Sequence, residues 1–339
     1  MSKSPIWSDV DFDKEGVQKG FLRLPTSRHE SAYGSILIPV ASIRNGGGPR
    51  VIVVAGNHGD EYEGQIVVMN LMRTLRHDEV RGHIVLLSAL NAPAVYAGRR
   101  TSPYDGGNLN RVFPGRPDGG PTEAIAHFFE TTLLPGADLV VDLHSGGSSL
   151  EYIPSAVIVN SAEESRLRKL LALLRIFGFP VSFVTDAPSG ANRSLAAACE
   201  RAGGIPCLSS ELGGGATVSI ATLKLAEEAT RRVLEHIGSI RSVHGQKQPA
   251  PIALYRRVPF KDFVFAPCGG VFEPLVRLGE LVDRGSDAGL IHTPSEPWAP
   301  PRRIQFAQSG LVLCRRFTAL TAPGDCLFNV GIPFTEADQ

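Results

Sequence analysis

The sequence predicts an α/β architecture, a sheet flanked by helices, followed by a smaller all-β region. Three observations carry that expectation. Short β-branched runs alternate with helix-period patterns from residue 51 to residue 237. Several of those runs stop at glycines beside a histidine or a glutamate. Beyond residues 239–250 the helical period disappears, and short strand-like runs broken by Gly and Pro remain. The expected units are therefore 1–240 and 251–339, with 239–250 as a linker.

Residues 1–16 read as a charged, weakly ordered lead-in. Gly20-Phe-Leu-Arg-Leu and Ser35-Ile-Leu-Ile-Pro-Val read as strands of a hairpin or sheet edge, and Asn45-Gly-Gly-Gly-Pro49 as a turn. Residues 51–55 form the opening strand. It ends at Gly56-Asn57, and His58 and Glu61 follow at once. Val68, Leu71, Met72 and Leu75 then recur at helical spacing, so a helix begins beside the His–Glu pair. Ile84-Val-Leu-Leu-Ser is a buried strand, and a long loop from Asn91 to Pro121 holds Arg99, Arg100 and Asn108-Leu-Asn-Arg111. Loops of that length in a compact enzyme are usually functional or disordered, and the density of Arg and Asn favours function.

Pro121 opens a helix through Ile125, Phe128, Phe129 and Leu133. Ala137 to His144 is a strand ending in His and then glycines, the pattern of the opening stretch again. Ser161-x-x-Glu164 reads as a capping box before Leu167, Leu170, Leu171 and Leu174. A strand over Phe179–Val184, a short helix over Arg193–Ala202 and a strand ending on Glu211 follow. Ser219 caps a last helix.

Composition narrows the function. The chain has 339 residues, 43% of them hydrophobic, and a formal net charge of zero, so it offers no basic footprint for nucleic acid. Its five cysteines are scattered and form no C-x-x-C, which favours a reducing compartment. The N-terminus has no apolar signal core, and no stretch approaches the roughly 18 apolar residues of a membrane span. A cytoplasmic location with no membrane partner is expected.

His58, Glu61, His144 and Glu211 all stand at strand ends, where open α/β sheets place their sites. The first three make a two-His, one-carboxylate set suited to a single Zn2+ with an open position. Glu211 is then free as a general base toward water whose pKa zinc lowers to about 7. Asp142, two residues before His144, points to the same side of its strand and is a candidate support for it. Arg100, Asn110 and Arg111 suit an oxyanion and a substrate carboxylate. Taken singly, each residue also fits a plainer role: His-x-x-Glu capping, a hydrogen-bonded His144, solvent-facing arginines, or Glu211 as a helix-dipole carboxylate.

In order, His58-Gly-Asp-Glu61, Asn108-Leu-Asn-Arg111, Asp142-Leu-His144 and Glu211-Leu-Gly resemble the succinylglutamate desuccinylase/aspartoacylase family of zinc carboxypeptidase-like hydrolases. The resemblance implies His58, Glu61 and His144 as zinc ligands and Glu211 as catalytic acid/base. It implies Arg100 at the scissile carbonyl, and Asn110 and Arg111 on a substrate carboxylate. Some members use a tyrosine from the C-terminal domain, and Tyr255 is the only tyrosine after Tyr152. Gly56 to Gly64 and Gly106 to Gly115 are most similar to a bacterial branch that includes the N-alpha-acetyl-L-2,4-diaminobutyrate deacetylases of ectoine breakdown. Phe265 to Glu273, Leu278 to Val282 and Gly289-Leu-Ile resemble a lipoyl-like β-sandwich. The absence of lysine after Lys261 argues against a swinging arm. A rim over the site, and a subunit contact in a homo-oligomer, are the expected roles of that region.

The expected activity is hydrolysis of a small N-acyl amino acid at its amide bond. The alternatives are a succinylglutamate desuccinylase or aspartoacylase activity, a carboxypeptidase, and a non-catalytic metal-binding protein.

Overall fold

The computed structural model describes residues 4–186, 193–242 and 251–335. β1 (Trp7–Ser8) pairs with β2 (Gly16–Arg28), which forms a long hairpin with β3 (Ser31–Asn45). The lead-in is thus more ordered than its composition suggests. Ile6 and Val10 are buried with Leu22 and Ile38, and Arg23 holds Asp9 at 2.7 Å. Two apolar residues and one ion pair fix a segment that reads as charged.

β4 (Arg50–Ala55), α1 (Tyr62–Thr74), β5 (Gly82–Leu87), α2 (Ala92–Ala97), α3 (Pro121–Phe128) and β6 (Leu139–His144) follow. Next come β7 (Leu150–Tyr152), β8 (Ser155–Val159), α4 (Glu164–Phe177), β9 (Val181–Thr185), α5 (Leu195–Arg201), β10 (Cys207–Glu211) and α6 (Ile220–His236). The C-terminal strands are β11 (Ala253–Arg257), β12 (Val264–Phe265), β13 (Gly270–Pro274), β14 (Leu281–Val282), β15 (Asp287–His292), β16 (Arg302–Gln305), β17 (Gly310–Arg316), β18 (Leu320–Thr321) and β19 (Cys326–Pro333).

Two local readings change, and one unassigned stretch proves to hold strands. The 91–121 loop is broken by α2 and by a 3-10 turn at Leu109–Arg111. Leu150–Val159 supplies two strands, each too short to carry a clear alternation. Ser161 does not cap α4: its hydroxyl accepts the Glu163 N–H, and Glu163 is the N-cap. The hydroxyl is consumed in a turn just before the helix.

The sheet order is β1-β2-β3-β5-β4-β6-β10-β8-β9-β11-β19-β17-β14, with β7 on β17 and β12 on β19. β5, β4, β6 and β10 run parallel, so the ends of β4, β6 and β10 share one rim. α1, α4 and α6 cover one face through Val67, Leu71, Leu170, Leu174 and Val233, packed on Val51, Val53, Leu139 and Val141. The other face carries Ile52, Val54 and Val140, covered by α3, α5 and the hairpin. Asp142 and His144 share that second face, because residues two apart on a strand point the same way.

Gly64 sets how closely α1 approaches β6. A Cβ there would stand 2.6 Å from the Leu143 Cβ, so a larger residue would push the helix off the strand. Gly59 is tighter still, at 1.9 Å from the Ala94 carbonyl oxygen. Its N–H also donates to the Arg99 carbonyl at 2.9 Å. The two glycines bring the His58–Glu61 turn against both β6 and the loop that bears Arg100.

In the C-terminal region β13, β15, β16 and β18 form a separate antiparallel sheet. Phe272, Ile291 and Ile304 from it pack on Val312, Phe328 and Val330. β11, β17 and β19 instead extend the main sheet, through the parallel pairing of β11 with β9. Of the expected linker, Ser239 and Ile240 are buried and Ile240 bridges to Val80, while 243–250 lie outside the described residues.

Candidate active site

Glu61 is the N-cap residue of α1 and is only 2% exposed. Its Oε1 lies 2.7 Å from His58 Nδ1 and accepts from Arg100 Nη1 at 3.3 Å. Its Oε2 lies 2.9 Å from His144 Nδ1 and accepts the Ser145 N–H at 3.1 Å. Asp60 braces the same turn by accepting the Ser148 N–H at 2.7 Å. His58, Glu61 and His144 offer ligand atoms all within 4.8 Å of one another, and among the described residues they are the only cluster of this kind.

The outer nitrogen of each imidazole has its own partner. His144 Nε2 donates to Asp142 Oδ2 at 2.9 Å, an acceptor-only carboxylate. His58 Nε2 faces Asn108 Oδ1 at 3.2 Å. That oxygen also accepts the Asn110 N–H at 3.1 Å, which fixes the amide orientation. His58 Nε2 is therefore the protonated nitrogen, and the Nδ1 lone pair points at the Glu61 carboxylate. These two acceptors, 2.7 Å apart, share only the long contacts of Arg100 Nη1, at 3.4 Å from His58 Nδ1 and 3.3 Å from Glu61 Oε1, and a metal ion would satisfy both more closely. This is the fit expected of a metal site whose ligands are oriented from behind.

Electrostatics agree with that reading. Burial lowers the His58 pKa, so it stays neutral. Burial opposes ionisation of Glu61, yet His58 and His144 together hold it well below the ordinary carboxylate range. Burial likewise opposes charge on His144, but Asp142 and Glu61 raise its pKa well above the usual imidazole value. Without metal, one proton on His144 compensates the cluster.

Glu211 pairs in register with His144 on the adjacent parallel strand, so the two side chains stand together on one face. Its Oε2 is buried and has no hydrogen-bond partner among the described residues. Burial pushes its carboxyl up to about 8, and the negative Glu61 adds to the rise. A carboxyl that keeps a proton near neutrality beside a metal-type cluster suits proton transfer.

Arg100 is exposed apart from the contacts of Nη1 with Glu61 and, at 3.4 Å, with His58 Nδ1. The Asn110 Oδ1 accepts the Leu195 N–H at 2.9 Å, tying the loop to α5. Arg111 Nη1 donates to the Asn110 carbonyl at 2.7 Å. Desolvation around the Arg111 guanidinium lowers its pKa, helped by the charges of Arg100 and Arg257. Tyr255 packs in an apolar cluster with Tyr152, Phe183, Leu313 and Cys314. Residue patterns miss the support that Asn108 gives His58 and the charge that Arg257 contributes near Arg111 and Glu211. Asn108 stands inside the Asn-Leu-Asn-Arg motif, and Arg257 follows Tyr255 by two positions on the same strand face.

The chain matches the succinylglutamate desuccinylase/aspartoacylase catalytic domain over residues 47–237. It is 39% identical to the N-alpha-acetyl-L-2,4-diaminobutyric acid deacetylase of Halomonas elongata, over 96% of this chain and 94% of that one. It is also similar to the product-bound ectoine utilization protein EutE (DoeB) of Ruegeria pomeroyi. That match has a TM-score of 0.93 and 38% identity over 98% of this chain and all of the other. A succinylglutamate desuccinylase from a Silicibacter species gives a TM-score of 0.93 and 35% identity over the same shares.

Two measurements test the geometry. Asn108→Leu should lower zinc affinity by roughly 10–100-fold in a competition titration, the usual cost of losing a hydrogen bond that orients a ligand. Unchanged affinity would break the link from Asn108 to His58. The second uses metal-free protein. The Glu211 carboxyl rises from 4.5 to about 8 on folding, so its protonated form favours the folded state. That contribution is complete below pH 4.5 and is lost as pH rises through about 8. Glu211→Gln should therefore unfold at a higher temperature than the parent at pH 9, and at a similar one near pH 5.

Proposed function

The chain belongs to the succinylglutamate desuccinylase/aspartoacylase family, and on that premise we propose that it is a zinc-dependent deacylase of a small N-acyl amino acid, with N-alpha-acetyl-L-2,4-diaminobutyrate as the preferred substrate. The observation that carries the reading is the pairing of two oriented imidazoles on Glu61 with a separate, high-pKa carboxyl next to His144. Near-full-length similarity to a diaminobutyric acid deacetylase supports the choice of substrate.

In this reading His58 Nδ1, His144 Nδ1 and Glu61 hold the metal. Zinc there supplies Lewis acidity, polarising a carbonyl and lowering the pKa of water to about 7. Glu211 takes the proton of the attacking water at its buried oxygen and later delivers it to the leaving nitrogen. Arg100 donates to the oxygen of the scissile carbonyl as negative charge develops there. Asn110 and Arg111 hold the substrate carboxylate. Tyr255 forms part of the pocket wall. The C-terminal region acts as a lipoyl-like sandwich that rims the site.

A substrate panel on zinc-reconstituted protein tests this. N-acetyl-diaminobutyrate should give the highest kcat/KM, ahead of N-succinylglutamate, N-acetylaspartate and a short peptide. A chelator should abolish turnover and zinc should restore it. Glu211→Gln should keep its zinc and lose roughly 10²–10⁴-fold in kcat, the usual range for general acid–base catalysis. Peptide cleavage in place of deacylation, or a Glu211→Gln variant with near-parent kcat, would contradict the assignment.

A further inference from the structure

The turn after β10 has a strained backbone. Gly213, Gly215 and Ala216 have φ of 80°, 68° and 51°, and Ala216 is the only non-glycine with a positive φ among the described residues. A residue with a side chain persists in that region only where its surroundings hold it there. Here they do. The Leu212 N–H donates to the His144 carbonyl at 2.9 Å, that of Gly215 to Leu150 at 3.0 Å and that of Ala216 to Gly147 at 2.9 Å. The Gly213 carbonyl accepts the Gly146 and Tyr152 N–H groups at 2.9 and 3.0 Å. The turn that follows Glu211 is thus laced to the segment that follows His144.

The other edge of that segment belongs to the C-terminal region. β7 pairs with β17 through Tyr152 with Cys314, Glu151 with Arg315 and Leu150 with Arg316. Arg315 also donates to Glu151 Oε2 from Nε and Nη2, at 3.0 and 2.8 Å. One residue on, the Phe317 N–H donates to the Ser149 carbonyl at 2.9 Å. Its ring lies on Gly215: a Cβ there would stand 2.5 Å from two of the ring carbons. The ring is 45% exposed, so it is no part of the apolar core, and the backbone it covers is the glycine turn. Arg316 donates to the Leu320 carbonyl at 2.6 Å and pairs with Asp325 at 2.9 Å, which fixes the turn that bears Phe317.

Glu211 depends on this turn for its aim. Among the described residues no donor satisfies its Oε2, so the position of that oxygen follows the backbone on either side. Upstream, strand pairing with His144 and Ser155 sets it. Downstream, the Gly213–Ala216 turn sets it, with the Phe317 ring pressed against that turn.

We propose that Phe317 is a positioning residue: its ring, seated on Gly215, fixes the turn after Glu211 and so aims the carboxyl that moves the proton. The inference rests on the deacylase reading, in which Glu211 is the acid/base. It gives the C-terminal region a part in turnover beyond that of a rim. Phe317 acts through Glu211 and not on the substrate.

The test pairs two measurements on zinc-loaded protein. Phe317→Ala should lower kcat for N-acetyl-diaminobutyrate roughly 10–100-fold, up to the cost of misplacing a reacting group by about 1 Å, with KM and zinc affinity within about threefold of the parent. Phe317→Leu, which keeps bulk over Gly215, should recover most of that loss, and it serves if the alanine variant folds poorly. Hydrogen exchange needs no turnover: the amides of residues 212–217 should exchange faster in Phe317→Ala, while those of β4 and β6 stay as in the parent. A rise in KM at unchanged kcat would make Phe317 a pocket wall and overturn the proposal, as would parent-like exchange over 212–217. If the parent turns over none of the substrate panel, the deacylase reading falls and takes the role of Phe317 with it. If the parent is active and Phe317→Ala matches its kcat, only the role of Phe317 falls.

Discussion

A carboxylate that is almost completely buried cannot keep its charge without partners, and Glu61 is the carboxylate around which this fold is arranged. Both of its oxygens are accounted for. Oε1 meets His58 and Arg100, and Oε2 meets His144 and the Ser145 N–H. Those partners come from three separate segments, and only a parallel sheet with a common rim brings them together. The close approaches at Gly59 and Gly64 serve the same end, because a side chain at either would separate the turn from the loop or the helix from β6.

The two imidazoles around Glu61 are supported differently. Asp142 puts a negative charge behind His144, while Asn108 puts a neutral oxygen behind His58. Burial disfavours charge on both rings; it prevails at His58, whereas Asp142 and Glu61 overcome it at His144, so the two pKa values move in opposite directions. In the proposed metal site a divalent cation would displace the His144 proton, so metal affinity should climb with pH. Asn108 has a second role, since the same oxygen accepts the Asn110 N–H. The loop that presents Arg100, Asn110 and Arg111 is thereby coupled to a metal-type ligand through one amide. Glu211 stands apart from this network: among the described residues no donor satisfies its buried Oε2.

The strand-end positions of His58, Glu61, His144 and Glu211 are legible in the sequence, because a β-branched run that stops at glycine and a polar residue marks the rim of a sheet. Asp142 is legible from the two-residue period of a strand. Other features depend on pairings that no local pattern encodes. Asn108 supports His58 across fifty residues of chain, and Phe317 reaches the turn after Glu211 only because β17 joins β7. The composition shift after residue 250 is real, but it marks a change of secondary structure and not an end to the main sheet, which continues into β11, β19, β17 and β14. Ser161 shows the reverse error, a local motif whose hydroxyl is used by a turn before it can cap the helix. Hydrogen bonds made by short polar side chains are where local pattern is least informative, since several backbone N–H groups compete for one oxygen.

The most direct test of the metal centre is X-ray absorption at the zinc edge on protein loaded with one equivalent of zinc. The spectrum should show one ion bound by two imidazole nitrogens at about 2.0–2.1 Å and by carboxylate oxygen, with no sulfur neighbour. The two-imidazole signature should fall to one in His144→Ala and in His58→Ala. A sulfur shell, or a spectrum unchanged by those substitutions, would contradict a metal centre built on Glu61 and its two imidazoles.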